Sequence, residues 1–136
     1  MKSKALNSLK AAQRLVEARE TYGYNSSIHC SYYALLQYMK YKLATFKKNP
    51  LPYEKQDKKD ESSHDYLLKE IKNRINNPIK ERKFSEIFKN LKSLRVLADY
   101  EQTDITEDES LECKEQAESA IKKLNQYLGE VWKMKR

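Results

Sequence analysis

Between Ile28 and Phe46 the residues Ile28, Tyr32, Leu35, Leu36, Met39, Leu43 and Phe46 fall at i, i+4, i+7, i+8, i+11, i+15 and i+18. This is the period of an α-helix, whereas a strand would alternate every second residue. A stripe of about five turns needs other elements to cover it, because an isolated helix in water is marginal and gains its stability from packing. Cys30, Tyr33, Ala34 and Tyr41 lie on the side away from the stripe. A helix that is apolar nearly all round is either central in a bundle or shared with another subunit.

The rest of the chain supplies partners of the same kind. A first helix is expected from Ser3 to Tyr22, with Leu6, Leu9, Ala12, Leu15 and Val16 inward and Gly23 ending it in a left-handed conformation. The long helix should then start at Asn25 or Ser26, both good N-caps. The segment 47–62 carries Pro50, Pro52, many charges and no stripe, and reads as a long, mobile, charged loop. A short helix follows over Ser63–Ile75, with Leu67 or Leu68, Ile71 and Ile75 inward, until Asn77-Pro78 breaks the chain. Lys80–Tyr100 repeats Phe84, Ile87, Phe88, Leu91, Leu94 and Ala98. A capping box, Thr106-x-x-Glu109, opens a last helix with the stripe Cys113, Ala117, Ala120, Leu124, Tyr127, Leu128 and Val131. The expectation is an all-α fold, a five-helix antiparallel up-and-down bundle forming one domain over residues 1–136.

Composition narrows the class further. With two glycines and three prolines in 136 residues, the chain lacks the turn residues that a β-rich domain needs. No run reaches the roughly 18 apolar residues of a membrane span. Cys30 and Cys113 form no CxxC pair and read as reduced thiols, so a soluble cytoplasmic protein is expected. The net charge of +7 is uneven, with nine Lys/Arg against two Asp/Glu in residues 1–50 and six against nine in 101–136. The basic part is either a solvated surface or a footprint for RNA or an acidic partner.

Arg95 is an anomaly in this pattern. At about 100° per residue it falls inside the arc of Phe84, Phe88, Leu91 and Ala98, so its guanidinium heads inward and needs an acceptor. Asp99, one turn on, can supply it, with Tyr100 adjacent. The arginine is then either an internal packing pair or part of a polar site facing RNA or another ligand.

Three features stand in order along the chain: Ser31-Tyr32-Tyr33-Ala34, then His64 opening a helix, then Leu94-Arg95-x-x-Ala98-Asp99-Tyr100. Together they resemble HEPN domains, small helical bundles of prokaryotic toxin–antitoxin and RNA-processing systems. The resemblance implies a homodimer, and in its active members a metal-independent ribonuclease with an Arg-x(4–6)-His motif. In that motif the arginine meets phosphate and the histidine moves the proton. Arg95 matches the arginine, but Tyr100 stands five residues on and no histidine follows, since only His29 and His64 exist. A tyrosine near pKa 10 is a poor base at neutral pH.

The expected function is therefore a non-catalytic HEPN-like binding or regulatory module. It would work with a nucleotidyltransferase-type or other toxin–antitoxin partner and contact RNA or nucleotide through Arg95, Asp99, Tyr100, His64 and Tyr33. The alternatives are a ribonuclease using Arg95 with Tyr100 or His64, and a nucleotide-binding domain in which Arg95 and the basic loop meet phosphate. No Walker motif, Gly-x-Ser-x-Gly elbow or nucleotidyltransferase Gly-Ser motif is present. No close pair of His or Cys ligands suggests a metal, and no cofactor is expected.

Overall fold

The computed structural model describes residues 1–19, 21–57, 62–100 and 104–129, apart from the side chains of Thr21, Tyr22 and Tyr100. The described residues form five α-helices and a short 3₁₀ turn: α1 (Lys2–Glu17), α2 (Thr21–Thr45), the turn at Tyr53–Lys55, α3 (Ser63–Ile75), α4 (Pro78–Tyr100) and α5 (Glu107–Tyr127). No strand occurs among them. Val131 and residues 58–61 of the charged segment lie outside the described residues.

α2 touches each of the other four helices. Its stripe is the core: Ile28, Tyr32, Leu35, Met39 and Leu43 are fully buried, against Leu67, Ile71, Phe84, Phe88, Leu91 and Leu124. The opposite side is occupied within the same chain. Ala34 is fully buried, and Tyr33 and Tyr41 pack partly buried against the core. The all-round apolar character of α2 thus follows from its central position.

The first two helices meet differently from the sequence expectation. α1 ends at Glu17, five residues early, and Arg19 rather than Gly23 takes the left-handed conformation, with φ 56°. Gly23 lies inside α2, where a Cβ would come within 2.7 Å of the Leu15 carbonyl oxygen. The glycine is needed for close approach, so a helix-ending glycine and a helix-packing one look alike in sequence. Ser27 Oγ donates to the Ala12 carbonyl at 2.8 Å across the same contact. The inward face of α1 is Ala5, Ala12 and Val16, while Leu6, counted in the stripe, is 42% exposed.

The segment after α2 is only partly the loose loop its composition suggests. The Leu51 backbone N–H donates to the Leu43 carbonyl at 2.7 Å, and Nε2 of the buried Gln56 side chain donates to the Lys40 and Leu51 carbonyls at 2.9 and 3.0 Å. The chain therefore doubles back along α2, which brings the start of α3 beside Tyr32 in mid-helix. Asn76 closes α3 in the left-handed conformation. Asn77 Oδ1 then accepts from the Lys80 amide at 3.1 Å and Pro78 begins α4, since a first-turn proline loses no helical hydrogen bond. The capping box of α5 is formed, Thr106 accepting from the Glu109 amide and Glu109 from the Thr106 amide.

Candidate functional site at the junction of α2, α3 and α4

The reversal of the chain along α2 sets three helices around one polar cluster. α2 brings His29, Tyr32 and Tyr33, α3 brings His64 at its second position, and α4 brings Lys92, Arg95 and Asp99. The Arg95 side chain is 13% exposed and donates from Nη1 to Asp99 Oδ2 at 3.4 Å, a long and weak contact. Its guanidinium carbon lies 5.2 Å from the centre of the Tyr32 ring and 5.8 Å from that of Tyr33. Its Nε is buried and has no hydrogen-bond partner.

Both histidines join the cluster. His64 Nδ1 and the Tyr32 hydroxyl share a hydrogen bond of 2.8 Å. His29 Nδ1 lies 3.3 Å from Asp99 Oδ2, and its ring sits 4.6 Å from that of Tyr33. One carboxylate therefore holds Arg95 and His29 together, while Tyr33 stands partly exposed between His29, His64 and Arg95. Lys92 Nζ reaches Asp65 Oδ1 at 3.1 Å at the rim.

Electrostatics follow from this crowding. Burial lowers the His64 pKa, and the positive charges of Lys92, Arg95 and Lys40 lower it further against Asp65, so the ring is neutral at pH 7. Burial pushes the Tyr32 hydroxyl up to about 12 despite the opposing pull of Arg95, so it keeps its proton. With Nδ1 tied to Tyr32, His64 Nε2 is the ring nitrogen left for a ligand. It can accept a proton only when Nδ1 carries the hydrogen and donates to the Tyr32 oxygen.

Of the residues singled out in sequence, Arg95, Asp99, His64 and Tyr33 come together here. Tyr100 ends α4, and its side chain lies outside the described residues. The basic residues Lys47 and Lys48 follow the far end of α2, 13 residues beyond Tyr32 and so roughly 20 Å away along the helix. Lys47 and Lys48 therefore stand apart from Arg95, while Lys58 and Lys59 of the same loop lie outside the described residues. His29 and the Tyr32 hydroxyl had no place in the sequence reading of the site, although His29 lies one turn before Tyr33 and shares its face.

The family model described as the HEPN domain matches residues 1–127. The chain belongs to the HEPN family. Neither the curated proteins nor the solved structures include a match to it. In this HEPN chain the polar cluster draws its arginine from α4 but its histidines from α2 and α3. Among the described residues no group of three or more His, Cys, Asp or Glu is placed to hold a metal ion, and no helix is long and apolar enough to cross a membrane.

Proposed function

We propose that this HEPN chain, one domain over residues 1–136, is a non-catalytic binding and regulatory module of a prokaryotic toxin–antitoxin system. It acts in the cytoplasm as a homodimer with a nucleotidyltransferase-type or other toxin–antitoxin partner. Its cluster on α2, α3 and α4 contacts RNA, Arg95 meeting phosphate and Tyr33 offering a face for a base. The observation that carries the non-catalytic part is that both histidines stand on α2 and α3, while the position five residues after Arg95 on α4 holds Tyr100. Val96, 41% exposed and next to Arg95, supports a second copy or a partner docking beside the site.

The test is a labelled single-stranded RNA incubated with the protein in EDTA, read for binding by anisotropy and for cleavage on a gel. Binding without cleavage, lost in Arg95→Met, is the expected result. A chain that neither binds RNA nor co-purifies with a partner removes the reading, and light scattering at high micromolar concentration tests the dimer.

A second reading is favoured by one observation. A neutral His64, oriented through Nδ1 by Tyr32 and close to Arg95, has the parts of a general base beside a phosphate anchor. Metal-independent cleavage that leaves a cyclic phosphate, abolished by His64→Ala and retained in His29→Ala, would establish it. Tyr100 enters this reading only as a substitute proton carrier, tested by Tyr100→Phe.

A further inference from the structure

His64 stands half-buried at the second position of α3, among groups from three helices. α2 contributes the Tyr32 hydroxyl, which shares a 2.8 Å hydrogen bond with Nδ1, the Tyr33 ring edge-on at 5.9 Å, and the positive charge of Lys40. α4 contributes Lys92 and Arg95, and α3 itself contributes the neighbouring Asp65. Asp65 is drawn to Lys92 Nζ at 3.1 Å, and Asp99 is engaged by Arg95 and His29. Burial, and three cations against one nearby carboxylate, therefore keep the His64 ring uncharged in the free chain at pH 7.

The same ring can take a charge without moving. The Tyr32 oxygen can donate to a bare Nδ1 or accept from Nδ1–H, so that contact survives a proton arriving on either nitrogen. A polyanion bound in the cluster reverses the balance of charge around His64: a phosphate near Arg95 and Lys92 offsets their repulsion and offers Nε2–H an acceptor. His29 differs, because the Asp99 carboxylate already lies 3.3 Å from it in the free chain and no ligand is needed to supply its counter-charge. We propose that His64 couples polyanion binding at the α2–α3–α4 cluster to the uptake of one proton, so that the site binds RNA more tightly as pH falls. The inference rests on the RNA contact proposed for that cluster and adds its regulation. At high pH the ring is neutral with or without ligand, and at low enough pH it is charged in both states. Affinity is flat in those two ranges and rises between them, by up to about tenfold per pH unit for one proton.

A labelled octauridylate without terminal phosphates tests the coupling, because neither its bases nor its diesters titrate between pH 5.5 and 8. Its Kd on the full chain, read by anisotropy, is expected to fall about tenfold or more from pH 8 to pH 5.5, with circular dichroism checking that the helices persist. His64→Asn, which keeps an amide beside the Tyr32 hydroxyl, should abolish the trend, and His29→Gln should keep it. Proton NMR of the parent chain supplies a readout that needs no variant. The His64 titration midpoint should move up by about one pH unit or more when the oligonucleotide saturates the site. A pH-independent Kd, an unmoved His64 midpoint, or a trend undiminished in His64→Asn overturns the proposal while leaving RNA binding in place. If His64→Asn does not fold, the NMR midpoint decides alone. Failure of the oligonucleotide to bind at any pH removes the RNA reading and this proposal with it.

Discussion

Replacing Arg95 by methionine keeps most of the aliphatic stem and removes the charge, and the geometry sets the expected size of the effect. The Asp99 contact is long at 3.4 Å and its carboxylate is 24% exposed, so as an i, i+4 pair it contributes about 0.3–0.5 kcal/mol. The two ring contacts, at 5.2 and 5.8 Å, add about 0.5–1 kcal/mol each. Against these stands the buried, unpartnered Nε, an unsatisfied donor that costs about 1–3 kcal/mol. The terms nearly cancel. Arg95→Met should therefore unfold in urea within about 1 kcal/mol of the parent chain, with an unchanged m-value. Arg95→Ala should lose a further 1–2 kcal/mol or so through the missing stem, at about 0.8 kcal/mol per buried methylene. A residue that contributes this little to stability fits the proposed binding role rather than a packing one. If Arg95→Met lost about 3 kcal/mol or more, as expected for breaking a well-buried pair, that reasoning would be refuted and Arg95 would be a packing residue.

Three further outcomes are expected from contacts elsewhere in the bundle. His64 has a folded pKa below its ordinary 6.5, so the unfolded chain binds more protons just below that value; this stability is present above pH 6.5 and lost as pH falls. Proton NMR should place His64 below His64 in the Lys92→Met variant, because the substitution removes a repelling cation and frees Asp65; an unmoved titration would deny Lys92 that role. Gly23→Ala should destabilise by about 1–2 kcal/mol, the strain of overpacking exceeding the helix-propensity gain of up to about 1 kcal/mol; a raised urea midpoint would mean α1 and α2 do not touch there. Thr106→Ala should lose about 1 kcal/mol and Thr106→Ser much less, and equal losses would show that the cap's hydroxyl is not what matters.

Long stripes were legible because burial along a helix repeats with its turn. The inward faces of α2, α4 and α5 follow directly, and so does the cap at Thr106, whose partner lies three residues away. Arg95 was legible as a polar residue inside an apolar arc. Contacts between helices were not, because nothing local marks them. Tyr32 reads as core and is core, yet its hydroxyl meets a histidine 32 residues away. Arg74 looks like any surface cation on α3, and only the chain returning past Asn49 buries it. Gly23 carried the wrong sign of information, since close approach and left-handed backbone demand the same residue.

The short α3 rests chiefly on α2 and α4, and it alone brings His64 to the cluster. Whenever α3 lifts, the cluster loses a wall while the α1–α2–α5 part of the bundle stays paired. Occupancy of the site and docking of α3 are then one equilibrium seen from two sides. A molecule bound there acts as a clamp, and the amide protons of residues 66–75 should exchange more slowly in proportion to its affinity.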